Sequence, residues 1–413
     1  MLNNYKLTTI FNYLYIGINI LTGFILFPLI IKYLGLEALG VFGILYSFKS
    51  LIDIATSWFS SSITKALLKY SYLKDNIITL SFITNIIYGI LGLIAFILYG
   101  YFSQPDYLYS AIYFGVFIFF SFVSVTYFQI LVSKLKQYQV ALFKVIQQSL
   151  FSITAISIFI FFDNKSLDII FLMLAISSII SFILVVLYFQ LNHKLTLTVD
   201  KINRKFFYSL VLSNGIQYFL NSATTILLLQ VDILLISYLY GSESAGVYLI
   251  VWKIPNTLIM LGWRLSEPFY AIVGKNIKSN RSDILNQFYT LEKKILLLSV
   301  FAGLGYIFLG GFVLDVWLNG DNVPNIPYMY VIPACVVVLS VMQRLYLSGN
   351  YYTSGLNVVS KLQLFEIVMK IIFIVFLFNY FGVLAPIIGW LVAFLFTITF
   401  YRKNALRVIN GCN

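Results

Sequence analysis

Long apolar segments follow one another along almost the whole chain, separated by short polar connections. Each is long enough to cross a bilayer as a helix, which takes roughly 20 residues. None of the polar connections is long enough to fold as a separate soluble domain. The pattern predicts twelve membrane helices, at about residues 7–31, 41–64, 76–100, 107–132, 141–162, 167–189, 209–239, 246–271, 291–314, 326–347, 358–380 and 383–401. Only a very short turn near Gly382 separates the last two.

A motif of the first half returns in the second half. Gly35-x-Glu37-x-x-Gly40-Val41-Phe42 reappears as Gly241-x-Glu243-x-x-Gly246-Val247-Tyr248, at an offset of 206 residues in a chain of 413. Both copies stand between the first and second apolar segments of their half. Because internal repeats are typical of transporter folds, the echo predicts two like-built six-helix bundles, residues 1–195 and 196–413.

Composition places the chain among membrane proteins and charge gives it an orientation. Apolar residues make up 61% and charged residues 10% of the chain, whereas soluble proteins carry about 25% charged residues. With a cytoplasmic N-terminus, twenty-one Lys and Arg residues fall on the cytoplasmic side, against Lys32 and Lys165 on the other. This asymmetry predicts that both termini are cytoplasmic. It also accounts for the net charge of +12 without nucleic-acid binding.

The sequence contains few of the residue patterns that enzymes use for catalysis. A single histidine and two cysteines cannot supply a metal cluster with the usual ligand spacing. Neither a phosphate-binding loop nor a nucleophile elbow occurs. We therefore expect no enzymatic activity, no metal and no bound cofactor.

Eight charged residues remain inside the predicted helices after the charges near the helix ends are counted with the loops. They are Lys49, Asp53, Asp232, Lys253, Arg264, Glu267, Glu366 and Lys370. Each costs about 2.5–3.5 kcal/mol at the bilayer centre on insertion scales, so they should face the protein interior or a hydrated cavity. Lys49/Asp53 and Glu366/Lys370 lie four residues apart and Arg264/Glu267 three apart, spacings that bring side chains together on a helix. Asp232 and Lys253 fall at similar depth on neighbouring helices, so they could also form an ion pair. The sequence does not decide whether these pairs have a function or only neutralise one another.

Amide side chains form a second group of candidates. Asn214 and Asn221 lie seven residues apart, two helical turns, and Gln217 stands between them. Asn12 and Asn19 repeat this spacing in the first half. Such amides could bind sugar hydroxyls or join helices to one another, and the sequence leaves both open.

Four short motifs, in order along the chain, resemble those of the O-antigen and exopolysaccharide flippases, a polysaccharide transporter family of the multidrug/oligosaccharidyl-lipid/polysaccharide exporter superfamily. They occupy residues 33–42, 52–54, 230–236 and 316–320. The first contains Leu34-Gly35-x-Glu37-x-x-Gly40, and the second, Ile52-Asp53-Ile54, is followed by Ala55 where the family carries glycine.

This resemblance implies a MATE-like fold with a central cavity, in a bacterial cytoplasmic (inner) membrane. It implies transport of undecaprenyl-diphosphate-linked oligosaccharides to the outer leaflet for O-antigen, lipopolysaccharide or other surface polysaccharide. One bundle would rock against the other to alternate access. A polysaccharide polymerase and a chain-length regulator would be the protein partners. A multidrug/cation antiporter of the same fold is one alternative. A membrane polysaccharide polymerase or glycosyltransferase is the other, although the sizeable outer loop usual in polymerases is missing.

Roles for the embedded residues follow from that substrate. Cations can replace water around the diphosphate, which makes Arg264 and Lys253, then Lys49 and Lys370, the expected binding residues. Asn214, Gln217 and Asn221 are the expected sugar-binding residues. A proton or sodium gradient would drive transport through Asp53, Asp232, Glu267 or Glu366.

Overall fold

The chain folds into helices joined by short connections. In the computed structural model, residues 2–69, 74–162, 165–192, 204–276, 281–320, 324, 326–350 and 356–410 are described. The helices are α1 (Leu2–Lys69), α2 (Lys74–Ser103), α3 (Leu108–Ser133), α4 (Gln137–Phe161), α5 (Leu167–Asn192), α6 (Arg204–Asn276), α7 (Arg281–Leu318), α8 (Val331–Asn350), α9 (Leu356–Phe381) and α10 (Ala385–Asn410). Three-residue 3₁₀ turns, Pro105–Tyr107 and Gly382–Leu384, precede α3 and α10. The described residues contain no strand.

Two of these ten helices are each broken at one glycine, so the described part of the chain holds twelve helices, as predicted. The breaks are at Gly35 in α1 (φ 87°, ψ 175°) and at Gly241 in α6 (φ 88°, ψ 164°). These are the first glycines of the two sequence motifs, and their dihedral angles are nearly the same. This region of backbone space is essentially restricted to glycine. The loops predicted between residues 31 and 41 and between 239 and 246 are therefore reduced to a single non-helical residue each.

Most helices extend beyond the predicted membrane spans because polar residues at their ends continue the helix outside the apolar segment. The exception is α8, predicted from residue 326 but beginning at Val331. A turn occupies residues 327–330, and it includes Tyr328 at φ 60°. The expected turn near Gly382 is present, with Gly382 at φ 54°.

The chain divides into two compact units, Met1–Ser222 and Ala223–Asn413. The predicted boundary between residues 195 and 196 falls in 193–203, outside the described residues. In the first unit α2 and α3 approach closely at their glycines: a Cβ on Gly89 would lie 3.3 Å from the Cα of Phe119, and one on Gly115 3.2 Å from the Cα of Leu93. In the second unit the same device joins α10 to α9, where a Cβ on Gly389 would lie 3.0 Å from the Cα of Lys370.

The surface carries apolar stripes that only a lipid environment would solvate. Along α7, the exposed residues Leu297, Phe301, Leu304, Phe308 and Phe312 follow one another at three- and four-residue intervals on one face. In the described part of the chain, eight helical stretches are long and apolar enough to cross a membrane. Three of them, of 48, 45 and 53 residues, contain two helices each. The protein is therefore a multi-pass, all-α membrane protein.

Candidate functional site

A buried ion pair lies at the centre of the second unit. The ammonium of Lys370 in α9 lies 2.6 Å from Asp232 Oδ2 in the first half of α6. The same ammonium donates a hydrogen bond of 2.7 Å to the carbonyl oxygen of Leu228 and lies 4.4 Å from the centre of the Trp390 ring. The side chain of Lys370 is only 1% exposed. From the sequence, Lys253 was a possible ion-pair partner of Asp232. In the structure, Asp232 forms its ion pair with Lys370.

The break at Gly241 brings a third helix to this ion pair. The second half of α6 turns back, and Tyr248, the last residue of the repeated motif, donates a hydrogen bond of 2.6 Å to Asp232 Oδ2. At the offset of 206 residues, Asp232 corresponds to Leu26 and Tyr248 to Phe42. Both of these are buried and apolar. The two copies of the motif thus share a backbone break, but only the second carries a polar pair beside it.

A second buried carboxylate, Glu366, lies one helical turn before Lys370 on α9. Its oxygens accept hydrogen bonds from Gln343 Nε2 (3.1 Å to each oxygen), Thr397 Oγ1 (2.8 Å) and Trp390 Nε1 (3.4 Å). Glu366 is 0% exposed. It is close enough to Lys370 for the two charges to interact. Trp390 joins the two groups, since its ring faces the ammonium and its N–H faces the carboxylate.

A partly open cleft lies beside this cluster in the second unit. Its walls include Trp263, Arg344, Gln343, Gln363 and Trp390. Trp263 donates a hydrogen bond of 3.1 Å to the carbonyl oxygen of Ser340, and its ring lies 5.2 Å from the Arg344 guanidinium. The amide oxygen of Gln363 accepts a 2.7 Å hydrogen bond from Thr224 Oγ1.

Sequence reasoning missed several members of this neighbourhood. Arg344 had been counted among the cytoplasmic loop charges, whereas it lies within α8. The signal that could have found it was its place directly after Gln343 at the end of an apolar run. Tyr248 was noted only as the last residue of the repeated motif, and Trp390 was not singled out, because a single aromatic residue in a membrane helix carries no pattern of its own.

The first unit contains a more accessible pair. Lys49 Nζ lies 2.5 Å from Asp53 Oδ2, and the two side chains are 23% and 35% exposed. Lys144 of α4 is close enough to both for their charges to interact. The predicted spacing of four residues therefore does bring these two charges together.

The other predicted site residues divide into two groups. Arg264 and Lys253, in the second half of α6, are both partly buried. The side chains of Glu267, Asn214, Gln217 and Asn221 lie outside the described residues. Of the seven embedded charges whose side chains are described, none is among the exposed residues. Three of them, Asp232, Glu366 and Lys370, are buried. That the four partly buried ones face the protein interior or a hydrated cavity stays a prediction.

No group of three or more His, Cys, Asp or Glu side chains able to hold a metal ion occurs among the described residues. The buried cluster therefore offers ion pairing and hydrogen bonding, with a lysine ammonium as its positive member.

Comparison with known proteins identifies the fold. No family model matches the sequence, and no curated protein matches it. Among solved structures, an outward-facing multidrug resistance MATE family transporter of the MOP superfamily is 14% identical, with 99% of this chain and 97% of that chain covered and a TM-score of 0.68. An inward-facing structure with the same description is 14% identical, covers 97% of this chain and 100% of that chain, and has a TM-score of 0.70. A MOP superfamily transporter from Pyrococcus furiosus, described as having a binding pocket of reversed polarity, is 15% identical over 98% of this chain and 96% of that chain, with a TM-score of 0.62.

These similarities extend over nearly the whole length of each chain, so the protein has the same fold as the solved MATE family transporters. At 14–15% identity they show the fold and leave the substrate open. The neighbours are transporters by their own descriptions.

Proposed function

We propose that this protein is a flippase that carries undecaprenyl-diphosphate-linked oligosaccharides from the cytoplasmic to the outer leaflet of a bacterial inner membrane, by alternating access. The main support for the proposal is that the sequence motif and the fold agree. The Gly-x-Glu-x-x-Gly motif, which resembles that of polysaccharide flippases, stands at the helix break of each half, at Gly35 and Gly241. Chains of this fold have been solved in both outward-facing and inward-facing conformations.

The physical problem for such a flippase is to move a diphosphate and a wet glycan past hydrocarbon. Guanidinium and ammonium groups can replace the water around the diphosphate with charge-assisted hydrogen bonds. Arg264, Lys253 and Lys49 are suited to this role, because each is cationic and only partly buried. Asn214, Gln217 and Asn221 remain our candidates for the sugar hydroxyls.

Lys370 is the least accessible of the proposed cations. Its ammonium is held by Asp232 and the Leu228 carbonyl, so a diphosphate would reach it only if the helices of the second unit separated. A gradient of protons or sodium ions is our proposed energy source. The proposed coupling carboxylates are Asp53, Asp232, Glu267 and Glu366, and the buried position of Glu366 suits a group whose charge changes with conformation.

A multidrug antiporter is the second candidate, and the fold supports it no less well. The neighbours described as multidrug resistance transporters favour it. The chemistry of the embedded charges favours the flippase, because a site for cationic drugs needs acids and aromatic rings more than it needs Arg264, Lys253 and Lys49. A dye-efflux assay in a host lacking its own exporters separates the two: efflux by this protein would support the antiporter.

The direct test is translocation of a fluorescent lipid-linked oligosaccharide in reconstituted vesicles. Each charge-assisted hydrogen bond is worth about 1.5–3 kcal/mol, roughly ten- to a hundredfold in rate or affinity. Arg264→Gln and Lys253→Gln should each slow translocation at least tenfold, and Arg264→Lys should retain part of the activity. The exposed Lys294→Gln is the matched control. If the Arg264/Lys253 double variant is folded and translocates at the wild-type rate, the diphosphate role is wrong.

A further inference from the structure

The surroundings of the Lys370 ammonium have the composition of a cation-binding cage. A carboxylate oxygen of Asp232 and the carbonyl oxygen of Leu228 lie 2.6 and 2.7 Å from Nζ. The face of the Trp390 ring lies on another side, 4.4 Å away, where its quadrupole attracts positive charge. Hard oxygen ligands and an aromatic face would hold a small dissolved cation as readily as an ammonium group.

The cage also has an unused ligand. Asp232 Oδ1 is buried and has no hydrogen-bond partner among the described residues, whereas Oδ2 of the same carboxylate is shared between Lys370 and Tyr248. A buried carboxylate oxygen without a partner carries a desolvation cost. It is an oxygen that a cation at the position of the ammonium could also coordinate.

The buried cluster carries more negative than positive formal charge. Two carboxylates, Asp232 and Glu366, are buried in it, and Lys370 is the basic side chain that pairs with Asp232 and interacts with Glu366. Removing one partner of a buried ion pair leaves an uncompensated charge, which costs more than an exposed charge would. Without this lysine, the Asp232 carboxylate would have to bind a proton or take up a cation from solution.

We propose that Lys370 is a tethered cation: its ammonium occupies a cage formed by Asp232, the Leu228 carbonyl and Trp390 that would otherwise bind sodium, and thereby excludes sodium from this cage while the ion pair is closed. The tether removes the entropy cost of capturing an ion and makes packing of this unit independent of the salt outside. The inference rests on the geometry of the cage alone and holds whatever the transported substrate is.

The test is thermal unfolding of the purified full-length protein in detergent, in sodium chloride and in choline chloride at equal ionic strength. Lys370→Met removes the charge and keeps the length of the side chain. We expect a lower midpoint for this variant in choline, and a saturable rise of several degrees as sodium replaces choline. The rise should exceed any sodium response of the wild type, in which Lys370 already occupies the cage.

Two control variants test whether the sodium response comes from the cage. Lys49→Met makes the same change in the partly exposed pair of the first unit and should show no sodium-specific shift. Lys370→Met combined with Asp232→Asn removes the coordinating carboxylate and should abolish the sodium response. A sodium response that survives this second change would overturn the assignment of the site.

A change in the otherwise unaltered protein can also refute the proposal: sodium-specific stabilisation of the wild type that Asp232→Asn abolishes would mean that the cage is not closed to the ion. If Lys370→Met does not fold, Lys370→Met with Glu366→Gln removes one charge of each sign and restores the formal charge of the cluster. This double variant should be stabilised by sodium as well. Equal midpoints in sodium and choline for whichever of the two variants folds would reject the tethered-cation role.

Discussion

Replacing the glycine at either helix break tests whether the backbone conformation alone, without any lack of space for a side chain, requires glycine there. A Cβ built on Gly35 or on Gly241 meets no atom within 4 Å. Alanine would therefore fit in space, and its cost comes only from the positive φ of 87° or 88°. A non-glycine residue held in this region costs about 1–3 kcal/mol.

The expected result is a clear loss of stability for Gly241→Ala and for Gly35→Ala. For a domain of 150–250 residues, 1 kcal/mol shifts the unfolding midpoint by about 2–4 °C, so each change should lower it by roughly 2–12 °C. The measurement is thermal unfolding in detergent, followed by tryptophan fluorescence and by the loss of the monodisperse peak on size exclusion.

The chain offers matched controls for both positions. Gly17 in α1 and Gly305 in α7 also have nothing within 4 Å of an added Cβ, but they have ordinary helical dihedral angles. Alanine is favoured over glycine inside a helix by about 1 kcal/mol, so Gly17→Ala and Gly305→Ala should leave the midpoint unchanged or raise it. If Gly241→Ala behaves like Gly305→Ala, the strain attributed to the break is absent and the reasoning fails.

Three further changes test packing, surface charge and orientation. Gly389→Ala should lower the unfolding midpoint because the added methyl would lie 3.0 Å from the Cα of Lys370; an unchanged midpoint would mean that α9 and α10 separate without cost. Arg402→Gln should cost only about 0–1 kcal/mol, and less in high salt, because Arg402 bonds Glu292 at 2.6 Å while remaining 44% exposed; a large, salt-independent loss would contradict this. Orientation can be tested in spheroplasts after both native cysteines are replaced. Lys32→Cys should then react with an impermeant maleimide, whereas Lys403→Cys should react only after permeabilisation. The reverse result would invert the topology.

The sequence by itself determined the number and order of the helices. Hydrophobic length is a local property, since each span must cover the same thickness of hydrocarbon whatever it packs against. The repeated glycine motif also located both helix breaks, because the backbone conformation at each break requires a glycine at that position of the sequence. The spacing of Lys49 and Asp53 predicted their ion pair for the same reason: four residues along one helix fix the geometry without any partner helix.

The partners of the buried charges were decided by tertiary structure. Glu366 and Lys370 have the same spacing as Lys49 and Asp53, yet Lys370 bonds Asp232, about 140 residues earlier in the chain. Glu366 instead accepts hydrogen bonds from α8 and α10.

In water such charges could remain solvated, and the intrahelical pairing would suffice. Inside the second unit a buried charge needs a partner, and Asp232, Glu366 and Lys370 find theirs on neighbouring helices. Which helix is nearest depends on how Gly241 turns α6 and how closely Gly389 lets α10 approach α9. Periodicity along one helix carries no information about either distance.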